Sequence, residues 1–344
     1  MRKMAFVQTV QGKVDSKDLG ITLMHEHLYI DRSHLWEDPN GPTKQFADQP
    51  VSMGILGKLR LNPYSNKDNG LMIDEEVAVK EALEFYYAGG KTIVDVTPVG
   101  IGRDPRALYR LSRRTGLNII MGCGYYLENS MPSYVKDWSI EEIENDILSD
   151  LEVGIDGTDI KAGIIGEIGI SPDMTELEVR VLRAAARAQK KTGHVLTIHL
   201  PGWERYGHKV LDIVEKEGGS VHKTILGHMN PSMNDVEYQT SLAKRGAFLE
   251  YDMIGMDLLF PEGQSPSDEE NAKAIIHLIE KGYGESLLLS QDVFLKICLK
   301  TYGGWGYSHI LENFVPRLRK MGVSQEEIDT LLIDNPRRVF DRES

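Results

Sequence analysis

Six residues of this chain have side chains that commonly bind divalent metal ions, and each sits at the downstream end of a short apolar run. They are four histidines and two carboxylates: His25, His27, Glu167, His199, His228 and Asp292. Six ligands are too many for one four-coordinate ion, but they suit two ions that share a carboxylate bridge. Such a pair generates hydroxide from water at neutral pH, so the ligand set predicts a hydrolase.

The local sequence is most informative around the His25 and His27 pair and around Glu167. His25 and His27 lie two positions apart on a predicted strand, so both side chains point to the same face. Glu167 lies inside an apolar strand, where a carboxylate is costly to bury unless it is paired or metal-bound. Its glycine neighbours, Gly166 and Gly169, favour a ligand because they allow close approach to the backbone. The structural alternative is a carboxylate bonded to an arginine or to backbone amides.

The remaining ligands end three later strands. His199 and His228 follow two successive apolar runs, and Asp292 ends the last one. In a closed barrel the last strand lies beside the first, so Asp292 is expected to face His25 and His27. A single histidine at such a place is compatible with core packing, but the combination favours metal binding. We assign Asp292 a second role as the catalytic proton acceptor, with a pure ligand role as the alternative.

Short apolar runs alternate with amphipathic helical segments along the whole chain. The eight predicted strands are Thr22–Leu28, Thr92–Thr97, Ile119–Tyr125, Ala162–Ile170, Val195–Leu200, Thr224–His228, Ala247–Asp252 and Leu287–Asp292. Near-continuous apolar runs are typical of parallel strands that are buried on both faces. The alternation predicts an α/β fold, a (β/α)8 TIM barrel in a single domain over residues 1–344. A doubly wound open sheet is the alternative, but no glycine-rich phosphate turn follows the first strand.

One segment departs from this regular pattern. Residues 31–73 form a long insertion after the first strand, rich in Pro, Asn, Gly and Asp. Loops of this length are usually functional, so we predict a pocket wall or a subunit contact, with a simple surface excursion as the alternative. At the other end of the chain, a helix over Ser324–Leu332 is expected to stop before Pro336.

Composition limits the classes of partner. The net charge is −13, with 52 acidic and 39 basic residues, which argues against nucleic acid and anionic membranes. Two cysteines cannot form a disulfide framework. The sequence has neither a secretory h-region nor an apolar stretch of the ~20 residues needed to span a bilayer. These features predict a cytoplasmic protein that acts on a small molecule.

The order of the ligands along the chain resembles that of the amidohydrolase superfamily, and more narrowly that of the phosphotriesterase-related proteins. The resemblance covers nearly the full length. It rests on the motifs TLMHEH (22–27), GYY (124–126), AGIIGEIG (162–169), GH (227–228), YGGWGY (302–307) and NPRR (335–338).

This resemblance implies a centre with two metal ions. His25, His27 and Asp292 would hold one ion, and His199 and His228 the other, with a bridge and a hydroxide between them. Phosphotriesterases proper use a carboxylated lysine from strand four as the bridge. Here that stretch contains Glu167 and no lysine, because Lys161 lies too far upstream. Glu167 resembles the bridge of a branch that includes lactonases and an amidase of N-acyl amines, which argues against hydrolysis of organophosphate triesters.

The functional prediction is therefore a metal-dependent hydrolase of a small ester-type substrate, first of all a lactone (of a sugar or sugar phosphate) or a carboxylic ester. The alternatives are an amidase of N-acyl amines, a phosphotriesterase or phosphodiesterase, and a non-catalytic metal- or ligand-binding barrel. Ligand type favours zinc, with manganese or cobalt as alternatives. Family habit and the insertion suggest a homodimer.

Contacts to substrate are expected from loops that follow the strands. We predict them for Tyr125 and Tyr126 after strand three and for Trp203 after strand five, although each residue is also plausible as a packing or surface residue. Arg103 and Lys296 could meet an anionic group of the substrate, but solvation at the surface is the favoured interpretation for both.

Overall fold

The computed structural model of the chain is described here for residues 6–36, 38 and 41–341. Its centre is a sheet of eight parallel strands, each hydrogen-bonded to the next one along the chain. The strands are β1 Thr22–Glu26, β2 Thr92–Asp95, β3 Asn118–Cys123, β4 Ile164–Gly169, β5 Leu196–His199, β6 Thr224–Leu226, β7 Phe248–Tyr251 and β8 Leu287–Leu289. The last strand returns to the first, where the Asp292 N–H donates to the His25 carbonyl at 3.2 Å.

A helix follows each strand and packs on the outside of the sheet. The helices are α1 Glu75–Tyr87, α2 Pro105–Thr115, α3 Ile140–Glu152, α4 Glu176–Thr192, α5 Gly207–Lys216, α6 Val236–Lys244, α7 Asp268–Glu280 and α8 Val315–Lys320. Local sequence fixes their first turns: Ser139 and Glu142 form a capping box on α3, and Thr175 and Glu178 form another on α4. The predicted (β/α)8 barrel is confirmed.

Apolar side chains fill the amino-terminal part of the barrel. Inward-facing residues of the strands pack with Val7 of an amino-terminal hairpin (Phe6–Thr9 and Gly12–Asp15) and with Phe340 near the carboxyl terminus. These inward-facing residues are Met24, Val94, Ile120, Ile164, Ile225, Phe248 and Leu288. With this end packed, polar side chains at the carboxyl ends of the strands lie at the open face, where active sites of such barrels occur.

All eight observed strands are shorter than the sequence pattern predicts, and in two of them the excluded end is a predicted metal ligand. Thr224–His228 and Leu287–Asp292 are expected as strands, but pairing stops before His228 and Asp292. Both of these residues have positive φ, 55° and 47°, which extended strands do not allow. The left-handed backbone turns each side chain out of the strand direction and toward the open end of the barrel.

The prediction that the last helix stops before Pro336 is wrong. Gln325–Asp329 passes into a wider π-helical turn, Thr330–Asp334, and then into a helix over Asn335–Phe340. Proline is tolerated there because it lies in the first turn of the new segment, where its missing N–H has no intrahelical partner to lose. The Asn335 side chain donates to the carbonyls of Gly284 and Leu287, which docks this segment against β8.

The insertion over residues 31–73 is closed at its base by a short antiparallel pair, Ile30–Asp31 with Leu71–Met72. It contains the helix Leu56–Leu61 and three short 3-10 turns: Ser33–Leu35, Gly41–Phe46 and Asp68–Gly70. Several of its side chains line the cavity at the carboxyl end of the barrel, as expected for a pocket wall. Within the described part of the chain, no helix combines the length and apolar character needed to cross a membrane.

Candidate metal centre

The structure brings all six predicted ligands together at the carboxyl end of the barrel. Glu167, His199, His228 and Asp292 line a cavity of about 360 Å³, and the buried His25 and His27 lie beside them. Their ligand atoms form overlapping groups of three in which all atoms lie within 4.8 Å of one another. These groups are His25–His228–Asp292, His25–His27–Glu167 and Glu167–His199–His228.

Glu167 lies at the centre of the cluster and contacts all four histidines. Its Oε1 is 3.4 Å from His27 Nε2, and its Oε2 is 3.5 Å from His25 Nε2. The same Oε2 lies 3.2 Å from His199 Nδ1 and 3.9 Å from His228 Nε2. Oε1 thus faces His27, whereas Oε2 faces His25 and also extends to His199 and His228, so this single carboxylate reaches both pairs of histidines, as a bridge must.

Asp292 closes the opposite side of the cluster. Its Oδ1 lies 3.2 Å from His27 Nε2 and 3.9 Å from His25 Nε2. The side chain remains open to the cavity, which it lines together with Phe294. Asp292 is therefore placed both to contact an ion held by His25 and His27 and to meet a substrate.

These atoms fit a pair of divalent ions. Bonds of about 2.1 Å to a tetrahedral ion place neighbouring ligand atoms about 3.4 Å apart, close to the separations around Glu167. His25 Nε2 is completely buried and has no hydrogen-bond partner among the described residues. A buried nitrogen left unpaired is costly, and an ion at this position would satisfy it.

The electrostatics of the cluster favour the ionised carboxylates that metal binding requires. Burial alone would raise the pKa of Glu167, but close contacts with His199 and His25 hold this pKa well below its usual range. Burial would likewise raise the pKa of Asp292. The hydrogen bond with His27 and the charge of His25 outweigh burial, so the pKa of Asp292 is also lowered. Burial, followed by the charge of His228, lowers the pKa of His199 to about 4, which keeps its imidazole neutral and able to bind a metal.

Three of the histidines are oriented by hydrogen bonds on the side away from Glu167. His25 Nδ1 lies 3.1 Å from Glu250 Oε2 and His27 Nδ1 lies 2.8 Å from Thr97 Oγ1. His228 Nδ1 lies 3.0 Å from Asp252 Oδ1. Partners of this kind fix the ring orientation and direct Nε2 toward the centre of the cluster, where His228 Nε2 lies 2.6 Å from His199 Nδ1.

A fifth carboxylate, that of Glu26, holds the backbone around Asp292. Glu26 accepts hydrogen bonds from the Ser290 hydroxyl at 2.7 Å, the Gln291 N–H at 2.8 Å and the Val293 N–H at 2.9 Å. Complete burial raises the pKa of Glu26 to about 8, while the three donors favour its ionised form. These bonds on both sides of Asp292 stabilise its left-handed backbone and thereby fix the side chain.

Replacement of Asp252 tests whether these partners act on the metal centre. Asp252 Oδ2 also accepts the His228 N–H at 2.8 Å, so the carboxylate holds both the ring and the strained backbone of His228. We expect Asp252→Ala to weaken metal affinity by roughly 10- to 100-fold. Competition with a chromogenic chelator measures this affinity, and an unchanged value in a folded variant would contradict the orienting role.

Sequence reasoning missed Glu26, Glu250 and Asp252, although a signal for them exists. Each is a carboxylate in or next to an apolar strand, and the burial argument that identified Glu167 applies equally to them. Gly166 and Gly169 were interpreted as making room for a ligand. A Cβ at Gly166 would lie 2.2 Å from the Thr197 carbonyl oxygen, and one at Gly169 would lie 2.4 Å from the backbone of Tyr126. Neighbouring strands, rather than a ligand, occupy that space.

Of the three residues predicted to contact substrate, two line the cavity and one does not. Tyr126 and Trp203 line the cavity, and the Tyr126 hydroxyl lies 3.3 Å from His199 Nδ1. Tyr125 does not line it, and its assignment as a substrate contact is corrected here. The Tyr125 hydroxyl donates to Asp146 of α3 at 2.6 Å, because successive side chains leave an extended segment on opposite sides.

Neither of the two cations considered from the sequence reaches the cavity. Arg103 pairs with Asp150 at 2.6 Å and with Asp156 at 2.8 Å. Lys296 pairs with Asp68 at 2.5 Å. Both charges are neutralised within the protein, so neither is available to a substrate.

Comparisons with known proteins agree with the fold. A model of the Phosphotriesterase family matches residues 5–340. The N-acetyltaurine hydrolase of Tetraodon nigroviridis is 39% identical over 336 residues, with 96% of each chain covered. The N-acetyltaurine hydrolase of Homo sapiens is 36% identical, with 96% of this chain and 97% of that protein covered.

Among solved structures, the chain is similar to a Resiniferatoxin-binding protein from Rhodobacter sphaeroides. The TM-score is 0.97 at 48% sequence identity, with 98% of this chain and 95% of that chain covered. The family match and the relatives span almost the whole chain, and the clustered histidines surround a buried glutamate. The chain therefore belongs to the phosphotriesterase family of the amidohydrolase superfamily and is a metal-dependent hydrolase.

Proposed function

We propose that this protein hydrolyses the amide bond of a small N-acyl amine. The observation that carries the proposal is the relationship, over 96% of the chain, to proteins named N-acetyltaurine hydrolase. A glutamate at the centre of the ligand cluster, in place of a carboxylated lysine, agrees with this assignment. The relatives thus favour the amidase alternative over the lactone that was placed first from the sequence.

Two divalent ions held by His25, His27, Glu167, His199, His228 and Asp292 would supply hydroxide and Lewis acidity for attack on the acyl carbon. Water adds across the carbon–nitrogen bond, giving a carboxylic acid and an amine, which are present as carboxylate and ammonium at neutral pH. The Asp292 carboxylate accepts a proton from the attacking water and passes it to the amide nitrogen as the carbon–nitrogen bond breaks. Protonation at nitrogen is essential because an amide anion is a very poor leaving group.

Tyr126 is placed to assist on the carbonyl side. Burial raises the pKa of the Tyr126 hydroxyl, so it stays protonated at neutral pH. The hydroxyl lies at the cavity wall next to His199, where it can donate a hydrogen bond to the carbonyl oxygen as negative charge develops there. Trp203, together with Phe260 and Phe294, supplies apolar contact for the rest of a small substrate.

A substrate panel on the purified, metal-loaded protein tests the proposal. It contains N-acetyltaurine, other N-acyl amines, lactones, carboxylic esters and phosphate esters, with products identified by mass spectrometry. We expect the highest kcat/KM for an N-acyl amine, with acid and amine released in equal amounts. Rapid lactone or ester hydrolysis together with unchanged N-acyl amines would overturn the proposal and restore the prediction made from the sequence.

A further inference from the structure

Arg32 is a buried cation in the wall of the cavity. It belongs to the insertion, where its N–H donates to the Gly70 carbonyl at 2.9 Å beside the Ile30–Asp31 and Leu71–Met72 pair. The residue is 7% exposed, and its side chain faces the cavity that contains Glu167 and Asp292. Among the cavity-lining residues of the described chain, it is the single lysine or arginine.

The Arg32 guanidinium has no carboxylate within ion-pair distance in the described part of the chain, unlike Arg103 and Lys296. Its Nη2 donates to the Tyr126 hydroxyl at 3.3 Å. The central carbon of the guanidinium, Cζ, lies 4.8 Å from the centre of the Tyr126 ring and 4.9 Å from the centre of the Phe294 ring. Aromatic faces stabilise a cation only in part, and Arg32 Nε has no hydrogen-bond partner among the described residues.

His34, the neighbour of Arg32 in the wall, does not add to this charge. Burial and the positive charge of Arg32 lower the pKa of His34 to about 4, so its imidazole is neutral at physiological pH. The negative charges of the lining lie on Glu167 and Asp292, which contact the histidine cluster, and on Glu262. Arg32 therefore provides a separate point of positive charge beside the reaction site.

Tyr126 sets the distance between this charge and the reaction site. Its hydroxyl is 3.3 Å from Arg32 Nη2 and also 3.3 Å from His199 Nδ1. The guanidinium is thus within two hydrogen-bond lengths of a predicted metal ligand. A group bound by Arg32 would lie only a few covalent bonds from an acyl carbon placed at His199.

We propose that Arg32 is the residue that selects substrates with an anionic group, a sulfonate or a carboxylate, a few bonds from the scissile amide. The planar guanidinium offers several N–H donors in a geometry that matches such oxyanions, and a buried cation gains most from a charged partner. The proposal rests on the amidase function and adds the charge of the substrate to it.

The test separates binding from turnover by using analogues that cannot be hydrolysed. The anionic probe is the methyl ketone in which a methylene replaces the amide nitrogen of N-acetyltaurine. The uncharged probe has the same length and ends in a hydroxyl group. Calorimetric titration of both probes into the metal-loaded protein is compared for the wild type, Arg32→Met and Arg60→Met. Arg60 is an exposed arginine of the same insertion, so its replacement removes one positive charge outside the cavity.

We expect wild-type protein and Arg60→Met to bind the anionic probe more tightly than the uncharged one. Arg32→Met should bind the anionic probe roughly 10- to 100-fold more weakly and the uncharged probe less than about 3-fold more weakly. Equal losses for both probes would show that Arg32 only supports the cavity wall, and would overturn the proposal. If Arg32→Met does not fold by circular dichroism, Arg32→Gln takes its place with the same expected result.

Turnover of N-acetyltaurine by the wild type, measured in parallel, distinguishes the two proposals. Binding that depends on Arg32 without any amide hydrolysis would refute the amidase function and leave the anion site intact. Amide hydrolysis with a charge preference that survives Arg32→Met would refute the anion site and leave the amidase function intact. A wild type that binds both probes equally would also overturn the anion site.

Discussion

Asp292→Asn is expected to lower kcat for an N-acyl amine by roughly 10²- to 10⁴-fold, the range associated with loss of one general acid–base group. The amide keeps the size of the carboxylate and an oxygen that can remain near His27 Nε2, 3.2 Å away in the wild type. It cannot accept the proton of the attacking water or return it to the leaving nitrogen. KM should change little, because the substrate contacts in the rest of the cavity are intact.

Metal content measured on the same preparation decides between the two roles of Asp292. Lost rate with both ions retained would support the proton-transfer role. Loss of rate and metal together would show that Asp292 acts chiefly as a ligand, and an unchanged rate would contradict both roles. Asp257→Asn is the control, because Asp257 is an exposed carboxylate on the loop after β7 and does not line the cavity.

Glu167→Ala is expected to have the largest effect of any single change in the cluster. It removes the one carboxylate that contacts all four histidines, so both predicted ion positions lose a ligand at once. We expect the ion content to fall to one or none and kcat/KM to fall by roughly 10³-fold or more, equivalent to several kcal/mol of transition-state stabilisation. The Tm of the purified protein should also fall, because bound ions stabilise the folded state.

Inductively coupled plasma mass spectrometry and thermal unfolding check these expectations. Addition of excess zinc or manganese should not restore the wild-type rate of Glu167→Ala, because the bridging ligand itself is missing. Full recovery of the rate would contradict the bridging role and would assign Glu167 to the structural alternative considered from the sequence.

The architecture and the clustering of the ligands could be predicted from the sequence because both depend on local patterns. Eight apolar runs of strand length define a parallel barrel, and residues at their carboxyl ends must converge on one face. His25 and Glu167 were recognisable for that reason. The exact ends of β6 and β8 were not, because the left-handed backbone of His228 and Asp292 is stabilised by Asp252 and Glu26, which are distant in sequence.

The cavity wall was much less predictable. Arg32 and Tyr64 come from an insertion without periodic hydrophobicity, so no pattern indicated which of its side chains turn inward. Arg103 and Lys296 were the cations considered, but their acidic partners are remote in sequence and neutralise them. Tyr125 and Tyr126 are adjacent, and only the direction of the backbone after β3 decides which one faces the cavity. Two metal ions can activate water for ester and for amide hydrolysis alike, which explains why the choice between these substrates could not be made from the metal ligands.

We expect one glutamate, Glu167, to join two metal ions at the mouth of this barrel. The most direct test is the divalent metal content of wild-type protein purified without chelators, compared with that of Glu167→Ala prepared in parallel. We predict about two ions per wild-type chain and one or none in the variant. A wild type without bound ions, or equal metal content in the two proteins, would contradict the account.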